Sequence, residues 1–214
     1  MEFQGEQPIR HATALRENMI MGLSVMILGL VLFLGIHLFI TRRNARADLI
    51  ARIGEGGYKI VFSLVSVVGL VLIVWGYANY RATGWIDVWY PPVAMKHITI
   101  LLMLPAVIMV AASYIRGRIY TTLKHPMLAG IKLWALSHLL ANGDLGSIIL
   151  FGSFLAWAVF DRISLKRRPD SGAPPIPVGG VGNDAIAVGV GVVAFLALAF
   201  AFHPVVIGVP VFGA

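Results

Sequence analysis

Residues 19–40 (MIMGLSVMILGLVLFLGIHLFI) carry no charged side chain, and the run ends on Thr41-Arg42-Arg43. A helix rises 1.5 Å per residue, so about 20 apolar residues span the ~30 Å hydrocarbon core of a bilayer. Five further apolar segments follow, at residues 60–80, 98–115, 126–142, 145–160 and 184–202. The expected fold is therefore all-α, a polytopic membrane bundle of about six transmembrane helices with short connections. Composition agrees: 58% of residues are apolar, 13% are charged and mean hydropathy is +0.85, whereas soluble domains carry roughly 25% charged residues. The first segment is too long for a signal peptide, and arginines follow it where a small-residue cleavage site would stand. It reads as a retained helix behind a polar leader, residues 1–18.

The chain has no cysteine, which excludes disulfides, thiolate metal sites and covalent c-type haem attachment. Its net charge of +7 is distributed between apolar segments rather than along one face, the pattern of membrane loops and not of nucleic-acid binding. Arg42, Arg43, Arg46, Arg52, Lys59, Arg116, Arg118, Lys124, Arg162, Lys166, Arg167 and Arg168 follow the odd-numbered spans; only Arg10, Arg16, Arg81 and Lys96 lie on the other side. The positive-inside rule then places both termini outside the cytoplasm. Pro105 predicts a kink in the third span. The fourth and fifth spans, joined through Asn142-Gly143-Asp144, predict a tight helical hairpin in which Asp144 caps the fifth helix. The loop GWIDVWYPP at residues 84–92 suits a stretch lying on the membrane or, alternatively, a substrate lid. Residues 169–183 read as a Pro/Gly linker. Residues 184–214 form the sixth helix and an apolar tail, whose prolines and glycines predict no further helix.

Every Asp and Glu falls in the leader, a loop or a helix end, which argues against a proton-coupled carrier with buried acids. The sequence holds no phosphate-binding glycine loop, HExxH pair or GxSxG elbow. The ionisable groups left in the spans are histidines and Lys132, which snorkels toward the inner interface. Depth counting divides the histidines into an inner pair, His37 and His125, and an outer trio, His97, His138 and His203. Two neutral imidazoles at one depth can ligate a haem iron or another metal. They equally suit interfacial residues that reach water or a headgroup. His138 equally suits a helix–helix hydrogen bond, and Gly146, Ser147, Gly152, Ser153 and Ala156 suit close helix packing.

The block TLKHPMLAGIKLWALSHLLANGDLGSIILFGSFLAWAVFDRISLKRR strongly resembles the NnrU family of bacterial membrane proteins. So do PPVAMKHITILLMLPAVIMVAASYIRGRI and GLVLFLGIHLFI, and more weakly IGVPVF. The likeness covers residues 19–168, an NnrU-like membrane domain of five helices, with Lys124 standing where an arginine is common. It implies a link to denitrification and to the production of functional nitrite and nitric oxide reductases. The family is also similar to plastid ζ-carotene isomerase, which binds haem b through histidines and isomerises a polyene double bond. On the matching motifs, His37, His125 and His138 are the residues that would bind haem b, with an isomerase-like activity as one consequence. The alternative is a non-enzymatic partner in assembly or maturation of a membrane reductase complex.

Overall fold

The computed structural model describes residues 6–167 and 178–212, with side chains from residue 13 onward. Seven α-helices occur among them: α1 (Glu6–Phe39), α2 (Arg43–Thr83), α3 (Val93–Tyr114), α4 (Arg118–Leu123), α5 (Pro126–Ala141), α6 (Leu145–Lys166) and α7 (Val181–Ala197). The last runs directly into a π-helical segment, Leu198–Ile207. No strand occurs among the described residues. Five helices are long and apolar enough to cross a membrane: Thr13–Phe39 of α1, α2, α3, α6, and Val181–Ile207 of α7 with its π-helical extension. The sixth apolar segment is α5, 16 residues and about 24 Å long.

The helices exceed the expected spans at several ends. α1 begins in the leader, at Glu6. The stretch expected as a loop after it is the first part of α2, which breaks at Gly54 with φ 76° and ψ 161°, a conformation open essentially to glycine alone. Residues 118–123, also expected as loop, form α4. α3 runs through Pro105 as one helix. The linker region 169–177 lies outside the described residues, as do 1–5 of the leader; residues 181–183, assigned to the linker, already belong to α7.

The C-terminal tail departs most from expectation. Helix continues past Phe202 to Ile207 although Pro204 lies inside it. Proline has no amide hydrogen and its ring crowds the carbonyl one turn back. The wider π turn accommodates both. Gly208, at φ 76°, ends the segment, and its amide donates to the His203 carbonyl.

The described chain forms two units. One contains residues up to Tyr90 together with Gly143–Ser153; the other contains Pro91–Asn142 and the described residues from Phe154 on. In the first unit α1 packs along α2 through glycines spaced by seven residues, or two turns. An added Cβ on Gly29 would fall 2.6 Å from the Ile73 amide nitrogen and 2.7 Å from the Gly69 carbonyl oxygen. One on Gly22 would fall 2.6 Å from the Tyr80 amide nitrogen, and one on Gly76 would run into the backbone of Met26. Lipid tails are as apolar as the helices, so helix association depends on close contact of this kind. In the second unit α3 is the shared helix. Gly130 brings α5 onto Ala106, and Gly191 brings α7 onto Ile108.

Candidate functional site

In the first unit the polar groups converge on Asp144. Its carboxylate accepts hydrogen bonds from the Ser147 amide (2.9 Å) and hydroxyl (2.6 Å), which makes it the N-cap of α6 as its position after Asn-Gly predicts. Arg81 adds an ion pair at 3.1 Å to the second carboxylate oxygen. The Tyr77 hydroxyl meets Ser147 Oγ at 2.7 Å. The Tyr80 hydroxyl, on a fully buried side chain, accepts from the amides of Ile86 (2.9 Å) and Gly146 (3.2 Å). Gly146 is required there, because a Cβ would strike the Tyr80 ring.

Residues 86–89 are tied to the same place. Val88 and Trp89 donate backbone hydrogen bonds to the Gly143 carbonyl, and Leu145 donates to that of Ile86. Trp85 and Tyr90 both donate to Asp87, and Arg81 lies over the Trp85 ring at 4.6 Å. The aromatic side chains stay exposed, while the backbone beneath them is pinned.

His37 also belongs to the first unit. Its Nδ1 donates to the Phe33 carbonyl at 2.6 Å, and its ring stacks on Phe33 and tilts against Phe62. A carbonyl only accepts, so Nδ1 carries the hydrogen and the neutral ring has its lone pair on Nε2. That tautomer, fixed by a backbone acceptor, is the usual one for an imidazole that ligates a metal.

The second unit contains His125 and His138. His138 repeats the pattern of His37, with Nδ1 donating to the Trp134 carbonyl at 2.9 Å. The structure brings it to His203, with ring centroids 6.3 Å apart and planes inclined by 27°. His203 in turn donates from Nδ1 to the Leu198 carbonyl at 2.9 Å, five residues back, a span that the π-helical turn supplies. The two imidazoles line a cavity of about 70 Å³ with Thr99, Met103, Phe195 and Ala199 among its other walls. Thr99 spends its hydroxyl on the Ser137 carbonyl. Depth counting placed His138 and His203 on one side of the bilayer. The tail's prolines and glycines predict no further helix, so the pairing itself is not legible in the sequence.

His125 is the N-cap of α5, and no side-chain bond caps the helix there. The preceding Lys124 has φ 63° and ψ −35°, a left-handed conformation rare for a residue with a side chain. The His125 amide closes this tight turn on the Leu123 carbonyl at 2.7 Å. Burial pulls the His125 pKa down, and the charges of Arg162 and Lys124 add to that against a smaller opposing effect of Asp161. The ring is thereby held toward its neutral, ligand-competent form. Among the described residues no group of three or more His, Cys, Asp or Glu is placed to hold a metal ion.

The family model described as "NnrU protein" matches residues 25–211. The chain belongs to the NnrU family. No curated protein and no solved structure matches it. The NnrU match includes the Arg81–Asp144 pair, the three candidate haem ligands and the His203 segment, and it extends past residue 168, where the motif resemblance stops.

Whether these NnrU residues suit a haem is a question of donors and of room. The donors suit it: His37 and His138 present the correct tautomer, and His125 is biased toward neutrality. The cavity between His138 and His203, at about 70 Å³, is smaller than the roughly 300–1,000 Å³ of a small-molecule site, so a porphyrin would have to displace its walls.

Proposed function

We propose that this NnrU protein acts in denitrification as a haem-b protein of the bacterial inner membrane, in support of nitrite and nitric oxide reductase function. The observation that carries the reading is the shared arrangement of His37 and His138. Each is an intramembrane imidazole with Nδ1 committed to the carbonyl four residues back and the lone pair on Nε2. Ionisable groups in spans are costly and are retained chiefly for function. His37, His138 and His125 are the candidate ligands. A haem with an exchangeable ligand binds nitric oxide or activates a polyene, which is the chemistry an isomerase-like activity would draw on. The twelve basic residues after odd-numbered spans against four opposite them support six spans with both termini periplasmic; a C-terminal reporter active only in the cytoplasm should then stay silent.

The test is the absorption spectrum of detergent-purified protein expressed with ample haem. A Soret band is expected. His37→Ala should abolish or shift it while membrane insertion persists, as should His138→Ala or His125→Ala for the second ligand. His97→Ala and His203→Ala should leave it unchanged. A wild-type protein without a Soret band removes the haem reading and leaves the assembly partner of a membrane reductase as the better account.

A further inference from the structure

Arg46 and Tyr58 stand twelve residues apart on α2, about 18 Å along an unbroken helix. The Arg46 guanidinium nevertheless lies 5.2 Å from the Tyr58 ring centroid. The break at Gly54 is what folds the basic start of the helix back over its apolar part. Tyr58 is buried. Its hydroxyl has no hydrogen-bond partner in the protein, and neither has Arg46 Nε, which is also buried. Glu55 acts on Arg46 through its charge but gives its close contact to Lys59, at 2.7 Å. The arginine's charge therefore has a neighbour, while the two buried atoms still lack a partner. A phenol donates or accepts, whereas Nε only donates, so what both can share is an acceptor. Leaving such groups buried and unmatched is costly.

The same face of α2 leads to His37. Phe62 follows Tyr58 by four residues, which puts both on one side of the helix. Its ring lies 6.2 Å from that of Tyr58 and 5.1 Å from that of His37, so the three rings fall within the reach of one porphyrin. All of these residues, with Arg46, belong to the first unit. Tyr58 is one turn nearer than Phe62 to the basic end of α2. A haem held at its iron by His37 carries two carboxylates on one edge of the ring. Carboxylates are costly in hydrocarbon, so that edge turns toward the basic end, where Arg46 and Tyr58 stand. A carboxylate accepts a guanidinium N–H and a phenol O–H together in charge-assisted bonds.

We infer that Arg46 and Tyr58 bind a propionate of the haem that His37 ligates. The inference rests on the haem reading above and adds to it the residues that hold the polar edge of the porphyrin. The full chain is expressed with ample haem and purified in detergent, and haem loss is timed by transfer to excess apomyoglobin. In parallel the apoprotein is reloaded with haem or with haem dimethyl ester, in which both carboxylates are masked. Wild type should release the ester about tenfold faster than haem, the worth of a hydrogen bond to a charged group. Tyr58→Phe, which keeps the ring beneath Arg46, and Arg46→Gln should each release haem faster by a similar factor. Both should keep the wild-type Soret maximum, since the axial nitrogens are untouched, and lose most of the difference between haem and ester. Arg52→Gln, on an exposed side chain, should behave as wild type. A wild-type Soret band with equal release of haem and ester would overturn this inference and leave the haem reading standing. So would variants that keep the full preference for haem over its ester, because a packing defect alone speeds both releases alike. A wild type without a Soret band removes both readings.

Discussion

Arg81 reaches Asp144 at 3.1 Å, and the two ends of this ion pair stand in different surroundings, the aspartate side chain 4% exposed and the arginine side chain 34%. The carboxylate also accepts both bonds from Ser147, so it caps a helix and neutralises a cation at once. Losing one partner of a sealed pair leaves a charge without compensation.

Removing the arginine should therefore cost more than its own exposure suggests. Arg81→Gln is expected to destabilise the protein by about 2 kcal/mol, below the ~3–5 kcal/mol of a fully buried pair because solvent screens its outer part. Asp144→Asn, which retains an acceptor for Ser147, should cost less than Asp144→Ala. Thermal unfolding in detergent measures both; equal midpoints for the Asn and Ala variants would show that the cap contributes nothing.

The glycines between α1 and α2 make a second case. Gly29→Ala or Gly76→Ala forces a methyl group against the facing backbone, an overpacking cost of about 1–3 kcal/mol. Gly189→Ala meets nothing within 4 Å and should be neutral or slightly stabilising, since alanine favours helix over glycine. If the three variants unfold together, the close contact of α1 and α2 is not what holds the first unit.

His125 makes stability depend on pH in a defined direction. Its pKa in the folded protein is lowered from 6.5 by burial first, then by Arg162 and Lys124. The unfolded chain therefore takes up a proton before the folded one does. The contribution is fully present above pH 6.5 and is lost as pH falls below that value toward the lowered pKa. His125→Asn should flatten that part of the profile. A fall in midpoint between pH 7 and pH 5 that is the same in wild type and variant would assign the effect to another group.

The sequence reveals much of this fold because lipid demands it: long apolar runs locate five long helices, and a shorter one with a single lysine locates α5. It reveals less where tertiary contacts rather than hydropathy decide the conformation. α4 is too short and too polar to stand out. Its first amides, those of Arg118 and Ile119, are capped by the Asp184 carboxylate some 65 residues away, a partner no local pattern announces. Asp144 as a cap was legible from Asn-Gly-Asp alone, whereas its pairing with Arg81 was not. The approach of His203 to His138 is not legible, because the tail's prolines and glycines predict no further helix.

The first unit is discontinuous in the chain, and this imposes an order on its synthesis. α1 and α2 are complete once residue 83 has been made, and their glycine seam can close at that point. The carboxylate that answers Arg81 arrives only after α3, α4 and α5 have been translated. Until then the nascent chain carries a docked helical pair with a cation waiting for its counter-charge, and α6 enters as the piece that locks it. A ribosome-bound chain ending at Asn142 would contain every residue of the seam and none of the lock.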